Sequence, residues 1–113
     1  MSNLNASARP LQLLEPWLAV KSEERNGLEA ELAREMRSDH VLSGCQCRAV
    51  ARRCDCDDIL FETTSKKGSF AVVHLTWSGK PDQFPTWPST SFFASWEDFK
   101  EQAMIPDHQA YAA

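Results

Sequence analysis

The spacing of apolar positions changes twice along this chain. Between Ser22 and Arg37 the apolar residues Leu28, Leu32 and Met36 recur once per helical turn, joined by Ala33. That period predicts a helix with one narrow apolar stripe and a charged opposite face. Either Ser22, with Glu23 and Glu24 in the first turn, or Asn26, with Glu29 three residues on, is placed to cap its start. From Cys47 to Arg53 apolar and polar residues alternate imperfectly, as in a strand with its arginines on the wet side. Asp55–Asp58 reads as a turn, because aspartates bond their own backbone there. Ile59–Thr63 is β-branched and aromatic, hence a second strand. Lys66-Lys67-Gly68 forms a hairpin turn. Phe70–Thr76 is almost wholly apolar and is expected to be the central strand, covered on both faces.

Beyond it, Gly79, Pro81, Pro85 and Pro88 mark Ser78–Ser91 as a long ordered loop. Thr90–Phe93 is short enough for an edge strand. Ser95 caps a second helix, with Glu97 and Asp98 in its first turn, that runs from Trp96 to about Met104 and stops before Pro106. Residues 1–21, broken by Pro10 and Pro16, read as an N-terminal arm anchored by a few apolar side chains. Residues 22–113 then form a single α+β domain: an antiparallel β-meander of three to four strands, flanked by an N-terminal and a C-terminal helix on one face.

Composition narrows the function. The chain has 113 residues, enough for one hydrophobic core without a metal or disulfide. Its net charge is −4, and the basic residues are interleaved with acidic ones, as where Arg52 and Arg53 run into Asp55, Asp57 and Asp58. Nucleic-acid binding normally needs a continuous basic patch, so that class is set aside. No stretch is apolar for the roughly 20 residues that a membrane helix takes. The first residues lack the basic start and apolar core of a secretory leader. A cytoplasmic location is expected, and with it reduced cysteines.

Several runs together are more specific than composition. Asp57-Asp58-Ile59-Leu60-Phe61, Val72-Val73-His74-Leu75-Thr76-Trp77-Ser78-Gly79, Trp87-Pro88, Ser95-Trp96-Glu97 and Pro106-Asp107-His108 resemble a family of small bacterial proteins. The resemblance spans about Leu28 to Tyr111. It implies a bacterial, cytosolic protein and brings no mechanism, since that family carries no assigned activity. Its pattern does not require the cysteines at 45, 47, 54 and 56.

Four constellations could carry chemistry. Cys45-x-Cys47 and Cys54-x-Cys56 suggest a four-thiolate zinc site, in which every sulfur lies about 2.3 Å from the metal. An extended Cys47–Arg53 would hold the two pairs more than about 20 Å apart, and Val50-Ala51 is a poor hairpin turn, so structural thiols are expected and no cofactor. His74 is expected to pack within the strongest strand; its functional version pairs it with Asp57 or Asp58 as an oriented general base. His40, His74 and His108 have no metal-ligand spacing. Trp77, Phe84 and Trp87, among prolines, and Trp96 beyond them either close the open end of the sheet or form an aromatic shelf for a partner. Trp77, as a strand residue, is expected to be costly to remove in either case.

No phosphate loop or nucleophile elbow appears. The expectation is therefore a small acidic, non-catalytic binding protein, monomeric or homodimeric, whose partner is another protein. An immunity-like or antitoxin-like neutraliser of a basic partner is its concrete form. The alternatives are a small enzyme or ligand-binding domain using His74 with Asp57 or Asp58, and a zinc-stabilised module.

Overall fold

A computed structural model describes residues 12–113. Its order is β1 (Trp17–Ala19), α1 (Ser22–Glu35), β2 (Cys47–Arg53), β3 (Asp58–Thr63), β4 (Phe70–His74), β5 (Thr90–Phe93) and a C-terminal helical run. That run comprises α2 (Trp96–Phe99), a π-helical stretch Lys100–Met104 and α3 (Ile105–Ala112). The five strands form one antiparallel sheet in sequence order, each pairing with the next. The fold class is thus α+β, with one strand more than the pattern predicts. The extra strand, β1, lies in the stretch read as an arm, and Pro10, with the other residues before Gln12, lies outside the described ones. Trp17 pairs with Arg53 and is 1% exposed, so this stretch is built into the sheet.

The helices cover opposite faces of the sheet, not one. On one face Leu28 and Leu32 of α1 pack with Leu42, Ala49, Ile59, Phe61, Ala71 and Val73. On the other face Phe99 and Met104 of the C-terminal run pack with Trp17, Ala51, Leu60 and Phe70. Strand alternation sends Leu60 one way and its neighbours Ile59 and Phe61 the other. In β2 the same result needs a bulge, because Ala49 faces Phe61 while Ala51 faces Leu60, leaving Val50 as the extra residue. The imperfect alternation of this strand is the trace of that bulge. The backbone groups of Ala49 are taken by α1 instead: its N–H donates to Glu29 Oε2 at 3.0 Å, and its carbonyl accepts from Arg25 Nε at 3.2 Å.

Two sequence expectations about helix ends are corrected. Neither Ser22 nor Asn26 caps α1; Lys21 does so by position, with its N–H donating to Glu24 Oε1 at 2.9 Å. The C-terminal run does not stop before Pro106, and continues to Ala112. The π-helical turn before it, in which the Ile105 N–H bonds to the Lys100 carbonyl, widens the helix where proline has no N–H to give. Ser95 does cap this run, accepting the Asp98 N–H at 3.2 Å.

Candidate functional site

The buried face of α1 is not wholly apolar, since Glu31 and Glu35 share it with Leu28 and Leu32. Glu31 and Glu35, one turn apart, are 2% and 1% exposed. The chain leaving β4 folds back over them. Glu35 Oε1 accepts the Thr76 N–H and hydroxyl, both at 2.9 Å, and Oε2 accepts the Trp77 N–H at 2.7 Å. Glu31 Oε2 accepts the Gly79 N–H at 2.9 Å, while Oε1 takes the Arg34 guanidinium at 2.7 Å. Burial, reinforced by the Glu31 side chain, pushes the Glu35 carboxyl above the usual glutamate range. The hydrogen bond from Glu35 holds the Glu31 carboxyl below that range. A pair so enclosed has no surface left for a substrate, so its chemistry is positional.

What the pair positions is the loop from Leu75 to Ser89. Trp77 is held at φ 59°, a left-handed conformation uncommon for a bulky side chain. Gly79, at φ 72°, needs the same region, which glycine enters at no steric cost. Further along, the Asp82 N–H bonds to the Glu35 carbonyl and Arg37 donates to the Gln83 carbonyl. His40 is 4% exposed; its Nδ1 accepts the Leu42 N–H at 3.0 Å and its Nε2 bonds to the Pro88 carbonyl at 2.9 Å. With Nδ1 accepting, the ring proton that faces the Pro88 carbonyl sits on Nε2. The loop is thus fastened at both ends and in its middle by groups from α1 and the segment after it.

On this fastened loop the large rings face outward: Trp77 is 48%, Phe84 55% and Trp87 41% exposed. Trp77 lies beyond the end of β4 and is not the packed strand residue expected. Trp96 is on the other face of the sheet, against Phe70 and Phe99, and does not join them. Beside the loop a groove of about 710 Å³ is lined by Asp39, Val41, Lys67, Pro85, Thr86, Ser89 and Thr90.

His74 is also exposed, because β4 ends there, so it is not the packing residue expected. The antiparallel register sets it opposite Asp58, and its Nδ1 meets Asp58 Oδ1 at 2.7 Å. Asp57 does not join this pair: its backbone carbonyl accepts the Leu75 N–H, and the residue lines a groove of about 440 Å³ with Arg52, Cys54 and Cys56. Asp55 is bound by Arg53 at 2.8 Å, which lowers its carboxyl.

The cysteines sit in pairs at the two ends of β2, as an extended strand requires. Burial raises the Cys47 and Cys56 thiols, the opposite of what a nucleophile or a redox centre needs. Cys54 is exposed and its sulfur lies 3.7 Å from the Tyr111 hydroxyl. His108 bonds to the Glu15 carbonyl at 2.7 Å. Among the described residues no group of three or more His, Cys, Asp or Glu is arranged to hold a metal ion, and no helix is long and apolar enough to cross a membrane.

Glu31, Glu35 and the loop-fastening role of His40 were missed from sequence. The one available signal was the four-residue spacing of the two glutamates on the leucine-bearing turns of α1. Compared with family models, curated proteins and solved structures, the chain matches none.

Proposed function

We propose that this is a small acidic binding protein of a bacterial cytoplasm, without catalytic activity, that docks another protein through the loop carrying Trp77, Phe84 and Trp87. The observation that carries this reading is the contrast between a firmly held backbone and exposed rings. A Trp kept in a left-handed conformation by a buried carboxyl, and still 48% exposed, is an arrangement that stability alone does not call for. Rings presented on a fixed backbone lose little freedom on binding, which is why such residues dominate interface energies. A net charge of −4 suits a basic partner, through faster encounter and the exclusion of acidic competitors. Neutralisation of a basic toxin is the form of this reading we favour.

The test is calorimetric binding of the proteins encoded beside this chain, with Phe84→Ala and Trp87→Ala compared against the unaltered chain. A hot-spot ring costs about 2 kcal/mol or more on removal. Unchanged affinity in both variants would reject the shelf.

A second reading rests on the His74–Asp58 pair, whose geometry is that of an oriented general base. It predicts that a small ligand found by screening perturbs the His74 ring resonances and is lost in Asp58→Asn. Screening that finds ligands only at the aromatic loop would exclude it.

A further inference from the structure

Glu31 and Glu35 lie one turn apart on the buried face of α1, 2% and 1% exposed, and Arg34 is bonded to Glu31. Two carboxylates beside one cation would leave a surplus negative charge out of water, which a shared proton removes. The surrounding elements place their charges elsewhere. Arg37 is held by Asp39 and the Gln83 carbonyl, and Asp82 meets Glu35 through its backbone N–H. Lys80 is exposed. His40 bonds to Leu42 and Pro88, and His74, at the end of β4, to Asp58. Cys47, on β2, has a thiol raised by burial and so stays neutral. Beneath α1 the sheet presents Ala49, Ile59, Phe61, Ala71 and Val73.

We propose that the Glu31–Glu35 pair is a proton-operated latch on the second half of the loop. With the proton in place, Glu31 holds the Gly79 amide. When the proton leaves to water, Glu31 swings outward and releases that amide, while Glu35 keeps Thr76 and Trp77. The two ends are unequal for a structural reason. Glu35 accepts three hydrogen bonds from the turn and is 1% exposed, whereas Glu31 accepts one backbone hydrogen bond and is paired with an arginine whose side chain is 52% exposed. Like-charge repulsion therefore moves the carboxylate that has an exposed cation to follow. The latch belongs to the free chain and does not depend on any partner, and what it sets is the freedom of Ser78–Asp82 beside an already fixed Trp77.

The test is amide hydrogen exchange by NMR on the isotope-labelled chain, corrected for intrinsic rates, from about pH 5 to about pH 9. The protection of Gly79 relative to Trp77 is expected to fall by at least about tenfold across that range. In Glu35→Gln, which has one carboxylate and no repulsion, the ratio should stay constant. Should that variant fail to fold, the carbon-13 titration of the two carboxyls in the unaltered chain decides. One rising above and one falling below the ordinary glutamate midpoint supports the latch. Two ordinary midpoints, a constant Gly79 to Trp77 ratio in the unaltered chain, or joint opening of both amides would overturn it.

Discussion

Glu35 shows how a charged residue can take a structural role on the apolar side of a helix. It stands seven residues after Leu28, so a helical wheel puts it beside the leucines of α1, where it is 1% exposed and accepts three hydrogen bonds from the chain leaving β4. That spacing is a local signal for burial, but no local window shows the donors, which lie 41 and 42 residues away. Glu35→Ala should lower stability by roughly 2–4 kcal/mol in urea unfolding, since it strands buried donors as well as removing their acceptor. The pH dependence follows from the two opposite shifts. Glu35, raised in the fold, contributes stability that is full below its ordinary value of 4.5 and lost as pH rises through its folded value. Glu31, lowered in the fold, contributes stability present above 4.5 and lost as pH falls through its folded value. The contribution of the pair is therefore largest around the ordinary glutamate range and declines in both directions. Melting temperatures of the unaltered chain and the Glu31→Gln/Glu35→Gln double variant should converge at acid and alkaline pH. A constant difference across pH would remove the shared proton from the account. Exposure orders the thiols in the same way: alkylation at neutral pH followed by mass spectrometry should mark Cys54 before Cys47.

Element by element, periodicity served well where packing and local pattern agree. Strands β2, β3 and β5 lie where alternation and apolar runs put them, and the turn after Ser65 was legible from Lys66-Lys67-Gly68, but β4 ends at His74 instead of Thr76 and the middle strand is β3 instead of β4. The reason for that glycine was not legible. A Cβ at Gly68 would sit 2.6 Å from the Phe93 carbonyl oxygen, so the residue is small because β5 passes over it. Gly68→Ala should displace that edge strand and cost about 1–3 kcal/mol by chemical unfolding. A neutral effect would mean that β5 shifts freely. The strand β1 was hidden by its brevity and by Pro16, which local rules read as a break. The helix past Pro106 was hidden because a π-helical turn sets aside the usual proline stop. The two-sided core was hidden in β2 too, since the bulge at Val50 sends Ala49 and Ala51 to opposite faces where simple alternation would put them on one.

At the scale of the molecule, two kinds of aromatic residue are kept apart. Trp17 and Phe99 meet edge-on at 5.1 Å, the Trp17 indole donates to Asp107 at 2.9 Å, and both rings are sealed between the sheet and the C-terminal run. Trp77, Phe84 and Trp87 hang on the loop outside α1. Sequence could gather the late aromatics and prolines but not sort them, because Trp87 and Trp96 each follow a phenylalanine by three residues and a hydroxyl residue by one, and only the chain path sends one outward and the other under the sheet. That sorting makes the docking proposal separable from simple packing. Phe99→Ala should destabilise the free chain by about 3–5 kcal/mol, as the loss of a core ring does. Phe84→Ala, at a residue 55% exposed, should cost about 1 kcal/mol or less, because little of its surface leaves water on folding. Thermal and urea unfolding of the two variants without any partner measures that contrast directly. Losses of similar size would show that the loop rings plug the fold, and the protein would then need some other surface for any partner.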